Sequence, residues 1–138
     1  MGNILYKVLD LPKVTDGRGN LTFIEGGAHI PFDIRRAYYL YNVPEGQARG
    51  GHALKTTQQL LIAISGRFEV HLDDGHGGRT AVSLDRPDQG LHIRPILWRT
   101  LENFSPGAVC LSLVSTSYHA EDYCRDYDEF LRIVGAPG

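Results

Sequence analysis

Apolar residues in this chain recur in short runs that alternate with polar ones, and turn-forming residues end almost every run. The runs cover residues 4–9, 21–25, 36–42, 58–64, 67–72, 80–84, 91–94 and 109–115. A period of two puts successive side chains on opposite faces of an extended backbone, so each run reads as a strand. Asp16-Gly17-Arg18-Gly19, Ser65-Gly66, Asp73-Asp74-Gly75 and Ser105-Pro106-Gly107 are strong breakers between them. Ser65-Gly66 joins two runs directly, which predicts a hairpin. Many short strands with regular turns predict an all-β sandwich or barrel.

The C-terminal stretch differs. Residues 120–134 begin with Glu121 and Asp122 and then space Tyr123, Tyr127, Phe130, Leu131 and Val134 as a helical stripe. This predicts one short helix, or two, packed on the outside of the barrel, with the stripe serving as packing. At the other end, the run before Pro12 is set off by turn residues. Edge strands are seldom left bare, so this N-terminal strand is expected to be exchanged with a second copy in a homodimer. With 138 residues, no repeat and no linker, residues 1–138 read as a single domain. The formal net charge of -2 leaves no surplus to neutralise a phosphate backbone, so nucleic acid is not an expected partner. Cys110 and Cys124 form no CxxC pair and read as reduced, buried thiols. No signal-like leader and no apolar run of about 20 residues is present, which predicts a cytoplasmic protein without a membrane partner.

The most informative segment runs from Gly51 through His52, Leu54 and Gln59 to Gly66. Its spacing resembles the first cupin motif, in which two histidines two residues apart point into a jelly-roll barrel and a glutamate joins them from the next strand. Here Leu54 takes the place of the second histidine and Gln59 that of the glutamate. Pro95, Trp98 and Arg99 resemble a degraded second motif, with Arg99 at its ligand histidine. A guanidinium cannot ligate a cation in its charged form, and a single imidazole does not make a metal site, so no metal is expected.

A larger resemblance spans nearly the whole chain. Asp16-Gly17-Arg18-Gly19-Asn20-Leu21, residues 30–39, Arg49-Gly50-Gly51-His52-Ala53, Leu72-Asp73-Asp74-Gly75, Pro95 with Trp98, and residues 122–130 are similar, in order and spacing, to the FdtA/QdtA/WxcM-like sugar 3,4-ketoisomerases. The resemblance implies a metal-independent, cofactor-free homodimeric isomerase in deoxyamino-sugar biosynthesis. Its substrate would be dTDP-4-keto-6-deoxy-D-glucose, whose ketone moves from C4 to C3 through an enediolate.

Proton transfer between neighbouring carbons suits a neutral imidazole, and the developing oxyanion needs hydrogen-bond donors. Carried over residue by residue, the resemblance implies His52, Tyr38 and Arg99 as catalytic groups. Arg36, Arg49, Arg18, Gln59 and Trp98 are implied on the substrate, the arginines offering forks for a diphosphate. Gln59 could also hold His52 in one tautomer. Leu54 stands where the family has a histidine, and a leucine moves no proton. Either His52 acts alone, or His92 assists, or the chain is a non-catalytic sugar-nucleotide binder or an isomerase or epimerase of another nucleotide sugar.

Overall fold

Alternation sorts each strand into an inner and an outer row. In Phe68–Asp73, Phe68, Val70 and Leu72 are buried while Glu69, His71 and Asp73 are half-exposed. The computed structural model describes residues 5–136. In chain order the strands are β1 (Tyr6–Asp10), β2 (Lys13–Asp16), β3 (Gly19–Thr22), β4 (Arg36–Leu40), β5 (Arg49–Leu54) and β6 (Gln59–Ser65). They continue as β7 (Phe68–Asp73), β8 (Arg79–Leu84), β9 (Gln89–Ile93), β10 (Trp98–Glu102), β11 (Val109–Val114) and β12 (Tyr123–Cys124), before helix α1 (Tyr127–Ile133).

Two antiparallel five-stranded sheets face each other, in the orders β1-β9-β6-β11-β4 and β12-β5-β10-β7-β8, with β2 and β3 forming a separate ribbon. This is the expected cupin jelly roll. Leu61, Ala63, Phe68, Val70, Leu72, Leu91, Ile93 and Leu101 fill the space between the sheets. Each buried valine, leucine, isoleucine or phenylalanine among them contributes about 1.5–3 kcal/mol. A second apolar layer, including Leu11, Ile30, Phe32, Leu60 and Ile62, covers the outside of the β1-containing sheet. Phe130 of α1 packs with Ala53 and Cys124 on the outside of the other. Both cysteines are free and buried.

Two expectations are corrected. Ser65-Gly66 is not a hairpin, because β6 and β7 belong to different sheets. The turn is a corner, and Gly66 takes φ 65° there with no room for a Cβ, which would lie 2.5 Å from Ser105 Oγ. The expected short C-terminal helix is present as α1, but the stripe is not helical throughout: a 3-10 turn (Ala120–Asp122) and β12 precede it, because Tyr123 and Cys124 pair with Leu54 and Ala53 on β5. Within the single chain, β1 pairs with β9 from Tyr6↔Ile93 to Asp10↔Gln89, and Leu11 continues the contact by donating to the Asp88 carbonyl. Ile4, the first residue of that predicted run, lies outside the described residues.

One irregularity aims a side chain. Between β5 and β10, Arg99 pairs with His52 but Thr100 with Gly50, so Gly51 is the extra residue of a bulge. Gly50 and Gly51 have φ of 88° and 71°, a region that other residues enter at a cost. A Cβ on Gly50 would also lie 3.2 Å from the Arg99 carbonyl oxygen. Gly50→Ala is therefore expected to lower stability by about 1–3 kcal/mol, measured by urea unfolding. An unchanged midpoint would mean that the bulge tolerates a side chain.

Candidate active site

The bulge turns His52 inward. Its neighbour across the ladder is Arg99 on β10, and the facing sheet supplies Arg36 and Tyr38 from β4 and Gln59 from β6. These side chains surround a cavity of about 470 Å³ at one end of the barrel. Leu61, Leu101 and Cys110 continue its wall into the core. The lining includes Arg36, Arg49, Arg99 and Arg125 and no carboxylate. Such a cavity attracts and concentrates anions.

The buried polar atoms divide sharply. Among the described residues, the side-chain nitrogens and oxygens that are buried without a hydrogen-bond partner are Arg36 Nε, His52 Nδ1 and His52 Nε2. All belong to residues lining this cavity. An unsatisfied buried polar group is costly and rare, and where such groups gather they are open to a ligand.

Arg99 is 1% exposed. Its Nε and Nη2 donate to the Leu97 carbonyl at 3.1 and 2.9 Å, and its Nη1 donates to Gln59 Oε1. Burial lowers its pKa to about 10, so it remains charged at neutral pH. Gln59 Nε2 donates to Tyr38 Oη at 2.8 Å and to Ser112 Oγ at 2.6 Å. Burial raises the Tyr38 phenol above its ordinary range. Burial, reinforced by the Arg99 charge, lowers the His52 imidazole from 6.5 to about 4. The site thus holds a neutral imidazole able to accept a proton and a protonated phenol able to donate one.

The donor set does not suit a metal cation. Leu54, fully buried, lies two residues beyond His52, while Gln59 and Arg99 fill the other places, and no cluster of three His, Cys, Asp or Glu side chains forms among the described residues. The arrangement suits proton transfer on an anionic substrate.

His52, Tyr38, Arg99, Arg36, Arg49 and Gln59 are brought together as the sequence predicted. Gln59 bonds Arg99, Tyr38 and Ser112, not His52, so the tautomer role is withdrawn. Trp98 is also corrected: next to inward Arg99 on a strand it must face outward, and it packs against Tyr127 and Phe130. Arg18 stands at the tip of the β2–β3 ribbon, clamped to Asp16 at 2.7 Å and 91% exposed, away from the cavity of its own chain. His92 lies between inward Leu91 and Ile93, so it faces outward, stacks on Phe32 and bonds Gln58 Oε1 at 2.9 Å. It is not a proton carrier of this cavity.

Tyr123 and Arg125 line the cavity although the sequence placed Tyr123 in helix packing. The Tyr123 ring lies 5.1 Å from His52, its hydroxyl accepts from Arg36 Nη2 at 3.2 Å, and the Arg125 guanidinium sits 4.7 Å above the ring. Asp122 anchors this segment by accepting from Thr56 N and Oγ1, each at 2.7 Å, and from Thr57 Oγ1. Burial opposes the ionised form of Asp122, and these hydrogen bonds outweigh it, keeping the carboxyl below its ordinary range.

Comparison with known proteins points one way. The FdtA family model (WxcM-like, C-terminal) matches residues 5–135. A curated relative from Aneurinibacillus thermoaerophilus, named TDP-4-oxo-6-deoxy-alpha-D-glucose-3,4-oxoisomerase, is 38% identical over 93% of this chain and 91% of its own. The crystal structure of a 3,4-ketoisomerase from Helicobacter canadensis superposes with a TM-score of 0.91 at 43% identity, covering 94% of this chain and 97% of that one. QdtA, a sugar 3,4-ketoisomerase from Thermoanaerobacterium thermosaccharolyticum solved in complex with TDP, gives 0.93 at 34% identity over 96% of both chains.

The low pKa of His52 has a consequence for the fold. The unfolded chain takes up a proton near pH 6.5 that the folded chain refuses until about pH 4. This group therefore leaves stability untouched above pH 6.5 and removes it as pH falls to 4, by at most about 2–3 kcal/mol. Urea unfolding across that window is expected to show the loss, and His52→Gln to reduce it. Parallel pH curves for the two proteins would mean that His52 titrates normally.

Proposed function

The chain belongs to the FdtA family (WxcM-like, C-terminal), and from that membership we infer that it is a sugar 3,4-ketoisomerase acting on dTDP-4-keto-6-deoxy-D-glucose. The ketone moves from C4 to C3. The single observation that carries this reading is the coincidence of the unpartnered buried atoms of His52 and Arg36 with an arginine-lined cavity.

The chemistry follows from the site. The C3 hydrogen lies next to the C4 carbonyl and is acidic for that reason. His52 removes it, the electrons move onto the C4 oxygen, and an enediolate forms. Tyr38 donates a hydrogen bond to the developing oxyanion, and the Arg99 charge stabilises it from within the wall. The C4 oxyanion gains the proton that the C3 hydroxyl gives up, and His52 returns its proton to C4, which leaves a ketone at C3 and a hydroxyl at C4. The negative charge of the bound substrate raises the basicity of His52, offsetting the burial and the Arg99 field that depress it. Arg36, Arg49 and Arg125 receive the diphosphate.

Leu54 leaves His52 as the imidazole of this cavity, so abstraction at C3 rests on it. Residues 1–138 act as one cupin domain, in the cytoplasm, in the synthesis of 3-amino-3,6-dideoxy sugars for surface polysaccharides. No helix among the described residues is long and apolar enough to cross a membrane. A homodimer is part of the proposal, supported by exposed Val14, Leu21, Phe23 and Ile64 on the outer surface.

Proton NMR of the substrate with the enzyme in deuterated water is expected to show deuterium at C3 and a 3-keto product. His52→Asn is expected to slow turnover by about a hundredfold or more while dTDP affinity stays within a few-fold. No exchange with dTDP still bound would shift the reading to a sugar-nucleotide-binding protein, the outcome that Leu54 would explain. For the homodimer, sedimentation of a monomer at micromolar concentration would reject that part.

A further inference from the structure

Gln59 is 3% exposed and meets three polar partners. Arg99 lies at one end of the amide, Tyr38 and Ser112 at the other. A guanidinium carries donors only, so the amide oxygen must face Arg99 whichever way the amide is drawn. The amide nitrogen must then face Tyr38, and it too can only donate. The Tyr38 oxygen is thereby committed as an acceptor on its buried side. The phenolic proton is left to point into the cavity that Tyr38 lines.

The chain of bonds crosses the barrel. It starts at the Leu97 carbonyl, which fixes Arg99 on β10, passes through Gln59 on β6 and ends at Tyr38 on β4. We propose that Arg99 and Gln59 are positioning residues that set the direction of this hydrogen-bond chain, so that Tyr38 always presents its proton, never its lone pair, to the substrate's carbonyl oxygen. A donor held this way before the substrate arrives needs no reorientation as charge develops on that oxygen. The elevated phenol pKa keeps the proton in place at neutral pH. The inference rests on the isomerase reading and explains why a glutamine, not a glutamate, suits this position. A carboxylate would accept from Arg99 equally well but would take the Tyr38 proton for itself.

Gln59→Glu tests this directly, because it keeps size and the Arg99 partner while reversing the last bond. The expected result is a kcat about ten- to a hundredfold lower, with KM and dTDP affinity within about threefold. If Gln59 acts through Tyr38, the double variant Tyr38→Phe/Gln59→Glu is no slower than Tyr38→Phe alone within about twofold, whereas independent roles would multiply. An unchanged kcat in Gln59→Glu, or multiplying losses in the double variant, would overturn the proposal. Ultraviolet difference titration, with Tyr38→Phe identifying the Tyr38 signal, needs no substrate. Gln59→Glu is expected to move that ionisation to higher pH, and an unmoved titration would overturn the relay even where the wild type turns over nothing. A wild type inactive on the sugar whose phenol titration does shift would sink the isomerase reading and leave the relay standing. Should Gln59→Glu not fold, Gln59→Met removes the donor to Tyr38, and the same cycle and titration decide.

Discussion

A guanidinium that holds its charge sits almost fully buried inside the barrel, and the surrounding structure answers to it. Leaving such a charge without partners would cost several kcal/mol. The Leu97 carbonyl takes two of its donors and Gln59 takes a third. In the turn before Leu97, Ile96, a β-branched residue, adopts φ 62°, a strained conformation for its type. Gln59 in turn holds Tyr38 and Ser112, so one buried charge organises polar side chains from both sheets. The same charge sits beside His52 and keeps its imidazole neutral. Satisfying the arginine and preparing the site are one arrangement.

Charge in the cavity is not balanced by carboxylates. Asp122, next to cavity-lining Tyr123, is turned to Thr56 and Thr57 and anchors the β12 segment. The arginines at the cavity wall keep an unanswered positive field, which a nucleoside diphosphate would neutralise. Aromatic rings hold them in the meantime. Arg36 lies 5.6 Å from the Tyr38 ring centroid and 5.4 Å from that of Tyr118, and Arg125 rests on Tyr123. Such contacts orient a cation without cancelling it.

Period-two alternation made most strands legible, since a half-buried strand writes its two faces into the sequence. The same rule could have assigned Trp98 and His92 outward: one follows from Arg99 being inward, the other from its apolar neighbours Leu91 and Ile93. Sheet membership was less legible. Whether Ser65-Gly66 closes a hairpin or turns a corner depends on which distant strands claim β6 and β7, and pairing of that kind leaves no local mark. Tyr123 was hidden for a related reason. Its spacing from Tyr127 and Phe130 fits a helix, and only the edge of β5 draws it into a strand. Once Tyr123 is seen as extended, Arg125 two residues on belongs to the same face. The His52–Arg99–Tyr38–Arg36 group was recognised through the matched motifs, but the direction of the bonds joining it came only from the geometry.

Tyr38 and His52 stand on opposite sheets, and Leu61, Leu101 and Cys110 belong both to the core between those sheets and to the cavity wall. The packing of the interior is therefore a caliper that sets the gap between the acid and the base. Close-packed cores respond to a change of one methylene group by shifting what they separate. Exchanges among apolar residues that leave every polar group of the site in place can widen or narrow that gap. Divergence toward bulkier or slimmer sugars can thus proceed through substitutions that look, in sequence, like neutral drift of the core.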